Sequence, residues 1–258
     1  MKMRRKLIAG NWKMNLGIKE SEKLASEIVK KTGSNILKKT DVLICPPFIS
    51  IPAVSKILKN TGILLGAQNL SSENDGAYTG EISASMLHSA GCGYVIVGHS
   101  ERRKYFHETN PVVNAKAVQS LKHGLKTIIC VGETFQERED EIFESIIIEQ
   151  VRTALNDIPA GKMKDVIIAY EPVWAIGTGL NATPEQASAI HLLINNTAEE
   201  IFGKEISGEL LIIYGGSVNA GNAYDILSAE RIDGALIGGA SLKADDFVFI
   251  SDTASKLK

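Results

Sequence analysis

At 258 residues the chain exceeds the usual single-domain size of roughly 100–150, but closed barrels of about 250 residues fold as one domain, so length alone leaves one or two domains open. The balance of 28 Lys plus Arg against 30 Asp plus Glu leaves no global basic footprint for nucleic acid, the chain carries no acidic tail, and 44% hydrophobic residues supply ample core. Cys45, Cys92 and Cys130 form no CxxC pair or zinc-like spacing and no even disulfide set, the apolar stretch after MKMRRK is too short for a signal peptide, and no run reaches the ~18 residues of a membrane span, so a reducing cytoplasm is expected.

In chain order, the first predicted strand is KLIAG (6–10), followed by Asn11-Trp12-Lys13. VLIC (42–45) and ILLGA (63–67) come next, then YVIVG (94–98), which runs directly into His99-Ser100-Glu101-Arg102-Arg103. Asn110-Pro111 opens a helix carrying Val112, Ala115 and Val118. TIICVG (127–132) is followed by Ile142, Phe143, Ile146, Ile147, Val151 and Leu155 at helical spacing. VIIAY (166–170) ends in Glu171. Thr183-Pro184-Glu185-Gln186 then supplies an N-cap, a proline at the first helical position and a capping-box Gln. LLIIYG (210–215) leads into Gly216-Ser217, Asn219 opens another helix before Ala223, Ile226 and Leu227, and GALIGG (234–239) closes the series.

The strands are continuously apolar rather than alternating, as expected where both faces of a sheet are buried. Eight such runs separated by helical stretches imply parallel strands joined by right-handed crossovers. In about 250 residues they match a closed (β/α)8 barrel; an open doubly wound sheet is the competing architecture, which periodicity does not exclude. Either arrangement puts ligand chemistry at the carboxyl ends of the strands.

That rule turns attention to Glu171. It ends a rigid strand and precedes Pro172, Trp174, Gly177 and Gly179, a composition suited to a lid with a stiff hinge, a bulky anchor and a flexible tip. The Gly215-Gly216-Ser217 and Gly238-Gly239-Ala240 turns allow backbone N–H groups to approach a phosphate. His99 precedes a polar helix start, whose positive potential favours a neutral imidazole, and Lys13 adds a cation. Singly, these residues read as a capping Glu, a satisfied core His, a surface Lys and tight glycine turns. Jointly they are a base, an electrophilic donor and a cation beside a phosphate pocket: the parts for removing a proton next to a carbonyl and stabilising the enediolate.

Eight segments, AGNWKMN (9–15), GAQNLS (66–71), GAYTGEIS (76–83), VGHSERR (97–103), CVGE (130–133), AYEPVWAIGTG (169–179), YGGSV (214–218) and IGGASL (237–242), resemble the triosephosphate isomerase family in order and separation. The resemblance implies one barrel domain over 1–258 that interconverts D-glyceraldehyde 3-phosphate and dihydroxyacetone phosphate in glycolysis and gluconeogenesis, with no cofactor and no metal. By the family pattern Glu171 is the base and His99 the neutral electrophile, a pairing already described for this family. Lys13 stabilises the enediolate and helps bind the phosphate, Asn11 contacts substrate, and Glu101 organises the Lys13 and His99 neighbourhood. Backbone N–H groups of Gly177, Ser217, Gly238 and Gly239 match the phosphate contacts, and closure of the lid at 172–179 protects the enediolate from elimination. Residues 68–81 resemble the interdigitating loop of a homodimer in which Thr79 reaches the partner's site, an interface that the bare residues do not announce. Cys130 matches a cysteine packed near the base; by itself it reads as a small core residue.

The chain departs from the pattern at Tyr78, where phenylalanine is common, and at Leu180-Asn181, where many members carry Lys-Thr or Lys-Ser. Another phosphate-binding barrel enzyme would share the final glycine turns but lack the EPVWAIGTG, NWK and HSER segments. A non-enzymatic phosphate-binding or adhesion module would need no positioned base.

Overall fold

The computed structural model describes residues 5–175 and 182–257. Eight strands, β1 (Lys6–Asn11), β2 (Thr40–Cys45), β3 (Leu64–Ala67), β4 (Tyr94–Val97), β5 (Lys126–Val131), β6 (Val166–Tyr170), β7 (Leu211–Tyr214) and β8 (Gly234–Ile237), each lie within two residues of an expected apolar run. All pair in parallel and in sequence order, and β8 returns to β1 with Leu7 opposite Gly234 and Gly10 opposite Ile237. That last pairing decides between the two architectures. A doubly wound sheet has two free edges, whereas this sheet closes into a (β/α)8 barrel.

The continuous apolar runs have a direct cause in the two cores. Leu7, Ala9, Ile128, Cys130, Ile167 and Ala169 point into the barrel and fill it. Their neighbours Ile8, Ile129, Val131, Ile168 and Tyr170 point outward against the helices. A strand wrapped on both faces has no solvent side on which a polar residue can alternate. Each fully buried aliphatic side chain contributes about 1.5–3 kcal/mol of transfer free energy, so the strands are rigid supports for what projects from their ends.

The helix Pro184–Phe202 starts as the sequence predicts: Thr183 and Gln186 exchange both bonds of a capping box. A second box, Thr134 with Glu137, opens Phe135–Glu139. Asn110–Lys122 begins at its Asn-Pro. Two starts differ from expectation. Ile142 is the half-exposed N-cap of the helix Phe143–Leu155 rather than a member of its buried face. Asn219 makes a tight turn, its Oδ1 accepting from Gly221 N–H at 2.8 Å, and this local bond delays the helix to Ala223–Ser228. No helix among the described residues is long and apolar enough to cross a membrane.

Candidate active site

Eight of the nine site residues expected from sequence, Asn11, Lys13, His99, Glu101, Glu171, Ser217, Gly238 and Gly239, line one cavity of about 510 Å³ at the carboxyl ends of the strands. The ninth, Gly177, lies outside the described residues, as does the lid beyond Ala175. They arrive there from the ends of five strands, β1, β4, β6, β7 and β8, which is how a closed barrel converges groups far apart in sequence.

From β1, Asn11 Oδ1 accepts the Lys13 backbone N–H at 3.0 Å, and Lys13 takes a left-handed φ of 52°. Such a conformation is unfavourable for a residue with a Cβ and persists only where surroundings enforce it. The enforcing contact includes Gln68, whose Nε2 donates to the carbonyls of Lys13 and Cys45, both at 2.9 Å. So held, the Lys13 ammonium reaches Glu101 Oε1 at 2.7 Å.

His99 follows β4 and caps the helix Ser100–Phe106. Its Nδ1 accepts the Glu101 backbone N–H at 3.2 Å, which assigns the imidazole proton to Nε2. Nε2 stands 3.0 Å from Glu171 Oε1, and Ser100 N–H donates to Glu171 Oε2 at 2.8 Å. Both carboxylate oxygens are therefore occupied, and Glu171 is 2% exposed.

Burial opposes a charge on either member of this pair, yet the attraction between them outweighs it. The Glu171 carboxyl is held below the ordinary carboxylate range by His99, the Ser100 N–H and Lys13. His99 is displaced upward: burial and Lys13 push it down, but the adjacent carboxylate pushes harder. The sequence reading put the helix N-terminus in charge of His99. The hydrogen bonding agrees, since Nδ1 must be unprotonated to accept from Glu101. The direction of the shift does not, because Glu171 lies against the other nitrogen.

Glycines beside Glu171 are there for space. A Cβ on Gly132 would fall 1.8 Å from the Glu171 carbonyl oxygen, and one on Gly215 would fall 2.8 Å from Glu171 Cγ. Cys130 is fully buried inside the barrel, and burial followed by the neighbouring Glu171 charge pushes its thiol upward, so it is an inert packing group.

Besides Gln68 beneath Lys13, sequence reasoning missed two contributors to this architecture. Ser100 acts through its backbone, which no side-chain pattern announces. Glu133, at the end of β5, is fully buried, and its Oε1 accepts from Arg138 at 2.7 Å, Trp174 Nε1 at 2.7 Å and Tyr170 OH at 3.1 Å. It fastens the anchor of the Pro172–Ala175 segment to the barrel; the available signal was a carboxylate directly after the apolar run ending CVG. The anchor role of Trp174 itself was legible.

Comparison with known proteins places this geometry in context. A family model described as triosephosphate isomerase matches residues 6–254. The chain is 50% identical over 252 residues to triosephosphate isomerase from Chloroherpeton thalassium, covering 98% of this chain and all of that one. It is 47% identical over 248 residues to the triosephosphate isomerase of Caldanaerobacter subterraneus subsp. tengcongensis, covering 96% and 99% of the two chains. The crystal structure of triosephosphate isomerase from Bartonella henselae superposes with a TM-score of 0.87 at 40% identity, over 96% of this chain and 98% of that one.

Proposed function

The chain belongs to the triosephosphate isomerase family and is a glycolytic enzyme acting on triose phosphates, and from that premise we propose that it isomerises them through an enediolate, with Glu171 as the base. The observation that carries this reading is the Glu171–His99 contact at 3.0 Å inside a cavity that also holds Lys13 and two glycine-rich turns.

With no substrate, Glu171 is parked: the Ser100 N–H and His99 Nε2–H occupy its two oxygens. The substrate carbonyl oxygen takes the His99 Nε2–H, and Glu171 turns to the adjacent carbon. It removes a proton as the C–H electron pair moves into the developing enediolate, then returns that proton to the neighbouring carbon. As the carbon gives up its proton, His99 Nε2 gives its own proton to the carbonyl oxygen and takes one back from the adjacent hydroxyl, so one proton moves between carbons and one between oxygens, and the step needs no redox partner. His99 as a neutral donor and the Lys13 ammonium carry the oxyanion charge. Asn11 and Glu101 act on Lys13, one shaping its backbone and the other pairing its ammonium. Backbone N–H groups of Ser217, Gly238 and Gly239, with Gly177 from the lid at 172–179, hold the phosphate.

A homodimer belongs to the same reading. A second cavity of about 440 Å³ shares Asn11, Lys13, His99 and Glu101 with the first and is bordered by Met14, Phe48, Gly80 and Phe106. Met14 is 96% and Phe106 63% exposed, an apolar margin suited to receiving loop 68–81 of a second copy with Thr79 at its tip. The remaining parts of the proposal are one barrel domain over 1–258, a role in gluconeogenesis and a cytoplasmic location.

The test is Glu171→Gln. Turnover of D-glyceraldehyde 3-phosphate should fall by at least about 10³-fold while 2-phosphoglycolate still binds, since the amide keeps the shape and loses the base. Near-parental turnover would remove Glu171 from the chemistry. Rates measured over enzyme dilution report the dimer as a loss of specific activity.

A further inference from the structure

The cavity poses an electrostatic problem that the residues named so far do not solve. Its substrate is a phosphate dianion, yet the whole chain carries a formal charge of −2. Among the described residues, four formally charged side chains line the cavity: Lys13 and Lys104, Glu101 and Glu171. Lys13 is paired to Glu101 at 2.7 Å, so their charges largely cancel for an incoming ion, and Glu171 is left as a negative excess. Buried Arg103 offsets part of that excess and backbone N–H groups act at short range, which leaves Lys104 as the lining cation free to act at a distance.

We propose that Lys104 is the capture residue of this site, an uncommitted cation that draws the phosphorylated substrate into the open cavity. Lys104 sits on the helix Ser100–Phe106, four residues after Ser100 and three after Glu101, so a helical period brings all three to one face. That face lines the catalytic cavity, while Arg102 and Phe106 border the second cavity. Among the described residues no carboxylate lies in ion-pair contact with Lys104, in contrast to Arg102, which is bound to Glu108 at 2.5 Å. The Lys104 ammonium instead stands 5.1 Å from the ring centroid of Tyr105, a side chain that also lines the cavity and is 63% exposed. A ring face orients a cation without neutralising it, so the full charge remains available to an approaching anion.

This inference rests on the proposed triose phosphate chemistry, because steering appears in kcat/KM only where capture limits the rate, as the family's near-diffusional turnover implies. The experiment measures kcat and kcat/KM against ionic strength for the parent, Lys104→Gln and Lys104→Glu. At roughly 10 mM, where the screening length is about 30 Å, kcat/KM should fall about two- to fivefold in the Gln variant and further in the Glu variant. The three lines should converge at roughly 0.5 M salt with kcat within about twofold throughout, because salt screens an attraction but does not restore a lost contact. Parallel salt dependences in parent and variants overturn the proposal. A loss that persists at high salt and extends to kcat overturns it too, since that marks a local contact. Stopped-flow association of 2-phosphoglycolate, followed by tryptophan fluorescence, keeps the two readings separate. If the parent fails to turn over, the isomerase reading fails, and the salt dependence of this association rate in parent and variant still decides the role of Lys104.

Discussion

Replacing Gly215 with Ala should damage catalysis more than folding. Gly215 N–H donates to the Tyr170 carbonyl at 2.7 Å, which locks the end of β7 against the end of β6. An added Cβ would sit 2.8 Å from Glu171 Cγ and 3.1 Å from the Tyr170 carbonyl oxygen. Carbon atoms meet comfortably at roughly 3.5–4.0 Å, so about 1 Å must be found. Neither neighbour yields easily: one is strand backbone, and the other is the root of a side chain whose carboxylate is tied to Ser100 and His99. Overpacking of this kind costs about 1–3 kcal/mol, or a few degrees in Tm for each kcal/mol in a chain this size. A catalytic group displaced by ~1 Å loses about 10²-fold in rate. The expected result is therefore kcat reduced roughly 10- to 100-fold with KM changed far less, read from initial rates beside a thermal melt. Gly208→Ala is the control: it lies in the helix Lys204–Glu209 and a Cβ there meets nothing within 4 Å, so activity should hold and stability should rise slightly. A Gly215→Ala enzyme with parental kcat and parental Tm would refute the claim that this glycine makes room for the base.

Glu133→Gln keeps the shape of the buried side chain under Trp174 but removes the charge that pairs with Arg138; a loss of about 3 kcal/mol is expected by urea denaturation, and an unchanged midpoint would deny Glu133 its fastening role. His191 gives the pH dependence. It is fully buried, donates from Nδ1 to the Arg231 carbonyl at 2.9 Å, and burial pushes its pKa down to about 4. Between about pH 6.5 and 4 the unfolded chain takes up a proton at this site while the folded chain does not, so acidification costs roughly 3 kcal/mol through this residue alone. Denaturation at pH 7 and pH 4.5 should show His191→Gln losing less stability than the parent across that interval; equal losses would assign the acid sensitivity elsewhere.

The strands were legible because both faces of each strand are buried, and burial writes itself as uninterrupted Val, Ile, Leu and Ala. Closure could not be read from periodicity, since it depends on β8 meeting β1, a pairing of residues more than 220 positions apart; length, the number of units and the family resemblance carried that expectation. At the site, the side chains proposed to carry the chemistry, which the structure brings to one cavity, stood out because their types are improbable at strand ends: Glu171 after VIIAY, His99 after YVIVG, Lys13 after KLIAG. What escaped were contacts made by backbone, such as Ser100 N–H to Glu171, and groups that act on other groups, such as Gln68 beneath Lys13 and Glu133 beneath Trp174. Their residue types are common and their roles exist only in three dimensions. The departure of the helix from Asn219 has the same origin: an Asn caps a helix or closes a turn with the same oxygen, and the choice belongs to the chain around it.

The parked state of Glu171 also shows how a buried carboxylate, proposed as the base, stays usable. A carboxylate removed from water must be satisfied by donors or it takes up a proton and ceases to be a base. Here the donors are Ser100 N–H and His99 Nε2–H, and both the charge and the low pKa follow from them. The same Nε2–H is the group that must polarise the substrate carbonyl in the proposed reaction. Substrate and base therefore compete for one proton donor, and a carbonyl oxygen that wins it removes one of the two bonds holding Glu171 away from the carbon. Freed of that bond, the carboxylate loses the partner that most depressed its pKa and becomes a stronger base at the moment a C–H bond is presented to it. In the proposed reaction, exchange of a single hydrogen bond thus couples substrate binding to activation of the base, and it asks only that the Glu171 side chain be able to turn, for which Gly215 leaves room beside its Cγ.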